Sequence, residues 1–234
     1  MSSPLRVLIA GASGGIGSAC QRTLHDEGHR TFSVDRPGWD ITVPGGAEKA
    51  VQDATKALGG LDGIVHAVGM SGRRLGDGPV TSVSDEGWSE ILRVNLESAF
   101  RLMRVGIPAL RDAGGGSFVV VGSILGQSAD RDFLTAAYAT SKAGLLGLTR
   151  TAALEAAPWN VRVNVIAAGL VETPMSARAA GDERIRRRLA ELQPLGASMI
   201  SAESIAQAAY WLLSPAAAAT TGIALPVDAG WGLR

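Results

Sequence analysis

A single cysteine, Cys20, excludes an intramolecular disulfide framework, and no metal-type spacing of cysteine and histidine surrounds it. It reads as a small apolar residue inside a helix. The three histidines, His25, His29 and His66, stand apart instead of clustering as ligands, so no metal is expected. Charge of neither sign is in excess: 22 basic residues balance 22 acidic ones, which leaves no net field to draw nucleic acid or an anionic membrane. No apolar run reaches the roughly 18 residues of a membrane span. The chain also lacks an opening basic segment followed by an apolar stretch and a cleavage site. These absences predict a soluble, cytoplasmic protein without nucleic-acid or membrane partners.

At 234 residues the chain suits one domain, 1–234, long enough to bury about 70–75% of its unfolded surface. Short β-branched runs at Leu5–Ala10, Thr31–Asp35, Gly63–Val68, Ser117–Gly122, Val161–Ala167 and Gly222–Val227 read as buried strands. Between them Ile16–Glu27, Ala47–Leu58, Asp85–Arg111, Ala139–Ala157 and Ala202–Leu213 carry apolar residues at helical spacing. Strict alternation of strand and helix predicts an α/β fold: a Rossmann-like, doubly wound parallel sheet of six to seven strands with helices on both faces. In such sheets ligands bind beyond the carboxyl ends of the strands, so the residues there carry the chemistry.

After the first strand comes Gly11-Ala12-Ser13-Gly14-Gly15-Ile16-Gly17, where absent side chains permit a tight turn and let a pyrophosphate approach the N-terminus of the next helix. Asp35, at the end of the second strand, stands near the spacing of a ribose-binding acid and would repel a 2′-phosphate. Arg36 is the competing signal, because a guanidinium there suits that same phosphate. NAD is therefore favoured over NADP. Only two tyrosines and three lysines occur, yet Tyr138 and Lys142 stand four residues apart, on one face of a helix. Chance gives such a pair an expectation of about 0.03. A nearby ammonium favours the phenolate, so the tyrosine pKa is expected to be lowered, as suits a general acid/base. Ser123 follows the fourth strand, where its hydroxyl can meet a substrate oxygen. No histidine or acid stands near it in sequence to make it a nucleophile.

Together these residues resemble the short-chain dehydrogenase/reductase superfamily over essentially the whole chain. The glycine pattern is Gly11, Gly15 and Gly17, and Leu61, Asp62, Val65 and Gly69 match the segment of the third long strand. Asn95 in Val94-Asn95-Leu96, Ser123 with Gly126, and Tyr138 with Lys142 follow in order. Val161-Arg162-Val163-Asn164, then Gly169 with Thr173 and Met175, and Val227-Asp228-Ala229-Gly230 complete the match. The resemblance implies that Tyr138 passes the proton, Lys142 holds the nicotinamide ribose, Ser123 orients a carbonyl and Asn95 shapes a water relay. It assigns the cofactor to Gly11, Ser13, Gly14, Gly15, Ile16, Gly17, Asp35, Arg36, Asp40, Ile41, Ala67, Gly69, Tyr138, Lys142, Gly169, Val171 and Thr173. Asp40 is given the adenine amine and Thr173 the carboxamide.

Three departures bear on structure. His66-Ala67-Val68-Gly69 replaces the usual asparagine-rich turn, and His66 is expected to stabilise its strand. Ala168 stands where proline is usual before Gly169, which predicts a looser start to a lid at about 173–198. Ser123 and Tyr138 are separated by two residues more than usual, so Gln127–Ala137 should bulge beside the substrate.

The expected function is hydride transfer between a nicotinamide cofactor and a small alcohol or ketone. A lyase or isomerase that recycles bound NAD, and a nicotinamide-binding regulator without turnover, are the alternatives. Arg73 and Arg74 could meet an anionic group but read first as a solvated loop, and Arg178, Arg184, Arg186, Arg187 and Arg188 read as an exposed helical face. Ala143–Ala157, with only Arg150 and Glu155 charged, should bury both sides and form a homodimer or homotetramer.

Overall fold

The computed structural model describes residues 3–233. β1 (Arg6–Ala10), β2 (Arg30–Val34), β3 (Gly63–His66), β4 (Gly116–Val121), β5 (Val161–Ala168) and β6 (Ala224–Val227) form one sheet in the order β2-β1-β3-β4-β5-β6. Every pairing is parallel. Successive side chains point to opposite faces, and the sequence uses this to feed two cores. Leu8, Ala10, Ile64, Phe118, Val120 and Val163 face α2 (Gly46–Leu58), α4 (Ser98–Asp112) and α5 (Ala136–Ala156). Val7, Ile9, Val65, Val119 and Ile166 face α1 (Gly15–Asp26) and α8 (Ala202–Leu213). Cys20 lies in α1 within the second core.

The single helix expected over Asp85–Arg111 is broken. α3 (Asp85–Leu92) runs into a wide π turn, Arg93–Glu97, before α4 resumes at Ser98. Such a turn admits an extra residue without ending the helix, so the apolar period gives little sign of it. β5 runs through Ala168, which is buried and pairs with Val227. The expected loosening there is not seen: Gly169 N–H donates to Val227 O at 3.0 Å and Gln193 Oε1 accepts Leu170 N–H at 2.5 Å.

Beyond β5 the chain makes an excursion through α6 (Ala177–Gly181) and α7 (Glu183–Leu192). Its two ends are joined by a bridge between Val171 and Ile200. One side of α7 docks on the loop before α5, where Arg188 pairs with Asp130 and Asp132, and Arg184 with Asp132 at 2.6 Å. The arginines of this helix are thus not all solvated. On the amino-terminal side of the sheet, Arg162 donates to Leu212 O at 2.6 Å and to the next two carbonyls, placing a cation on the negative end of α8. No helix among the described residues is long and apolar enough to cross a membrane.

Candidate active site

β1 is followed by β2 on one side, while β3 lies on its other side. The chain leaves their carboxyl ends in opposite directions, and a crevice opens there. The glycine loop forms its floor. Gly11 has φ +87°, and a Cβ on it would stand 2.8 Å from the Ala67 backbone. A Cβ on Gly17 would fall 2.0 Å from Gly11 O, and one on Gly15 would meet Thr173 Cγ2 at 2.7 Å. The loop is thereby packed against the ends of β3 and β5. α1 begins behind it with Gly14 as an uncapped N-cap and no acidic residue in its first turn. Helix N–H groups with no acid in their own turn fit a pyrophosphate.

Asp35 follows β2, and its Oδ2 accepts the Ser13 N–H at 2.8 Å, so one carboxylate oxygen is spent on the glycine loop. Arg36 stands exposed beside it. Asp40 accepts the N–H and hydroxyl of Thr42 at 2.9 and 2.6 Å. Those bonds, with smaller help from the charges of Arg36 and Arg93, hold its carboxyl below the usual range. The Ile41 side chain belongs to the core, so it offers a ligand only backbone. The turn between Asp35 and Asp40 closes through Trp39 N–H to Asp35 O at 2.9 Å.

A cavity of about 450 Å³ lies beyond the strand ends, within the size range of small-molecule sites. Ser123, Tyr138, Lys142, Ala67 and Gly69 line one side; Gly169, Val171 and Thr173 line another, with Ile16 at the edge. The Ser123 hydroxyl accepts Leu125 N–H at 3.2 Å and lines the cavity together with Tyr138, near enough to act on its phenol. Lys142 is buried one turn further along α5. Its Nζ donates to Val121 O at 3.0 Å and stands 5.6 Å from the centre of the Tyr138 ring.

The expected lowering of the tyrosine pKa is not seen. Burial raises it, and the nearby Ser123 hydroxyl only partly opposes this. The Lys142 ammonium is drawn to the strand carbonyl and the ring, and burial brings it down to about 8.

Asn95 sits in the π turn, fully buried. Its side chain clamps Met70, accepting the N–H at 2.8 Å and donating to the carbonyl at 3.0 Å, and reaches Ser141 Oγ at 3.1 Å. His66 is buried away from the cavity with Nε2 against Ser98 Oγ at 2.8 Å, and burial followed by the Lys142 charge holds its pKa near 3. It stays a neutral strand residue.

Two features escaped the sequence reading. Asp77, in a Gly-Asp-Gly-Pro turn, is buried and accepts the N–H groups of Ala137 and Tyr138 at 3.0 Å each, capping α5 beside the tyrosine. Its only sequence signal is a turn. Trp231 packs edge-on against Phe133 at 5.1 Å and closes the cavity from the carboxyl-terminal side. The longer loop does bulge into the site through Phe133 and Thr135, and Arg73, expected in solvent, is half-buried in the cavity wall.

Residues 11–232 match the family described as enoyl-(acyl carrier protein) reductase. The 3-oxoacyl-(acyl carrier protein) reductase FabG of Vibrio cholerae is 32% identical, with 95% of each chain covered. A variant of actinorhodin polyketide ketoreductase, solved with NADPH, superposes with a TM-score of 0.89 at 26% identity over the whole of both chains. ElxO, solved with NADP bound, shares the fold at a TM-score of 0.88 and 20% identity over 99% of this chain and all of its own. The NADPH of the ketoreductase overturns the expectation that NAD is favoured. The structural reason is that Asp35 is partly spent on Ser13, while Arg36 remains open beside it. Fold, ordered motifs and family match agree: the chain belongs to the short-chain dehydrogenase/reductase superfamily and is an NAD(P)-dependent oxidoreductase.

Proposed function

We propose that the chain interconverts a ketone and its secondary alcohol with NADP(H). The observation that carries this reading is that Ser123, Tyr138 and the buried Lys142 line one cavity wall together. Two hydroxyls on one wall suit a carbonyl oxygen, and the similarity to a 3-oxoacyl reductase supports the same bond type.

The cofactor's pyrophosphate would rest on Gly11, Ser13, Gly14, Gly15 and Gly17, its adenine near Asp40 and the Ile41 backbone, and its 2′-phosphate on Arg36. Gly169, Val171 and Thr173 would hold the nicotinamide and Lys142 its ribose. When bound, the nicotinamide gives a hydride to the carbonyl carbon or takes one from the carbinol.

Ser123 and Tyr138 donate hydrogen bonds to the carbonyl oxygen. As that oxygen gains charge, Tyr138 hands over its proton and becomes a phenolate, which the Lys142 ammonium stabilises. In the reverse direction the phenolate takes the carbinol proton. Burial keeps Tyr138 protonated near neutrality, which suits the acid role. A binding module without turnover needs no acid/base, so the Ser123, Tyr138 and Lys142 set speaks against that alternative. The excursion at 173–198 serves as the lid, and the outward stripe of α5 as a homodimer or homotetramer contact.

Tyr138→Phe keeps the ring and removes the proton. Stopped-flow absorbance of NADPH with a ketone panel should show a fall of about two to four decades in turnover, with NADP affinity little changed. Near-full activity of the variant would remove Tyr138 from the reaction, and unchanging bound cofactor with a converted substrate would indicate a lyase or isomerase.

A further inference from the structure

Apart from Lys142, the charged residues lining the cavity are Arg73, Arg74 and Arg178, all positive: no carboxylate lines it among the described residues. Arg73, in the turn Arg73–Leu75, faces Arg178 of α6. Burial, and then the charge of Arg178, makes the Arg73 guanidinium less basic than usual, with Asp77 offsetting part of this. A half-buried guanidinium, Arg73, thus feels the like charge of the exposed Arg178.

Their protein partners are weak. Arg73 gives one hydrogen bond, to Asp132 O at 3.3 Å, and Arg178 approaches Asp182 only to 3.7 Å. Asp77, one carboxylate against two guanidinium ions and held at the start of α5, offsets their charge only in part. Arg184 and Arg188, close by, are matched by Asp130 and Asp132. Of these four arginines, the two without a close carboxylate are the two that line the cavity. Met70, Leu125, Phe133 and Met175 give the same cavity much of its apolar lining.

Resting on the ketone and alcohol reading above, we propose that the substrate carries a carboxylate. Arg73 and Arg178 clamp it at the mouth while its apolar body spans to the carbinol at Ser123 and Tyr138. The anion relieves the repulsion between the turn and α6, so its binding also draws the lid segment over the site. A planar guanidinium fork matches a carboxylate with two parallel hydrogen bonds, a geometry lysine does not provide.

The test pairs secondary hydroxyhexanoates, with the carbinol at successive distances from the carboxylate, against their methyl esters in the presence of NADP. The best acid should exceed its ester in kcat/KM by about ten- to a hundredfold. Arg73→Gln should collapse that ratio towards one by harming the acid most, and Arg73→Lys should restore part of it. Calorimetric titration of the NADP-loaded protein with cyclohexanecarboxylate and cyclohexanecarboxamide reads the same contrast without turnover. The carboxylate should bind more tightly, and Arg73→Gln should make the two equal.

Equal use of acid and ester, with Tyr138 still required, overturns the carboxylate clamp and leaves the oxidoreductase reading standing. A loss of NADP affinity in Arg73→Gln as large as the loss of acid binding also overturns it, by assigning the arginines to the cofactor. If no alcohol or ketone is turned over, the reading of the reaction fails, while the calorimetric contrast still decides the anion site.

Discussion

Burying Lys142 costs free energy that no ion pair returns, since its ammonium has the Val121 carbonyl at 3.0 Å and the face of the Tyr138 ring. Its pKa of about 8 in the folded protein lies below the ordinary value of about 10.4. Between those values the unfolded chain holds more protons than the folded one, so stability rises with pH across that window. The penalty is complete below about pH 8 and is relieved as pH approaches about 10.4, by an amount on the order of 3 kcal/mol. Urea unfolding of the cofactor-free protein across this range should show the rise, and Lys142→Met should lack it. Parallel curves for the two proteins would mean that the lysine is solvated.

The pairing of Tyr138 with Lys142 was legible because both residue types are scarce and a four-residue interval fixes a shared helix face. The direction of the tyrosine shift was not. Spacing gives proximity along a helix, whereas burial and the competing pull of the Val121 carbonyl come from β4 and the rest of the fold.

Among the elements, α5 depends on a residue far from it in sequence. Asp77 supplies the carboxylate that caps its first turn and fixes the backbone of Tyr138 itself. Asp77→Ala should destabilise the protein by about 1–2 kcal/mol, the range of a lost helix cap. It should also lower kcat more than it raises KM, because the tyrosine is displaced while the substrate walls remain. Asp77→Asn, with one accepting oxygen in place of two, should recover part of both losses. Thermal unfolding with steady-state kinetics checks this; unchanged kcat in a destabilised Asp77→Ala would confine Asp77 to a structural role. The π turn around Asn95 is a second case. A continuous apolar period predicts one helix over Asp85–Arg111, and only the clamp on Met70 shows what the widened turn presents.

At the scale of the whole molecule, α5 leaves a stripe in the open. Ala143, Gly147, Arg150 and Leu154 are exposed along it, Leu154 by 80%. Phe100 on the neighbouring α4 adds a ring that is 46% exposed. Small residues with one large apolar side chain suit a twofold helix contact, in which each copy offers the same stripe. Light scattering at micromolar concentration should give a dimer or tetramer, and Leu154→Arg should shift it toward monomer without unfolding the chain. A monomeric unmodified protein would show that this face remains in water.

The sequence by itself determined the alternation of strand and helix, the two-faced strands and the glycine loop, because each is written in local spacing and in residues whose backbone or side-chain chemistry is scarce elsewhere. It also placed Ser123, Tyr138 and Lys142, which lie at strand ends or on one helix face. Tertiary structure alone decided that Asp77 caps α5, that Arg73 turns from solvent into the cavity wall, and that Arg188 holds α7 to the loop before α5. Those contacts join residues about 60 positions apart, through side chains whose local sequence looks like an ordinary turn or a solvated helix. Their partners exist only once the sheet has brought the loops to one edge.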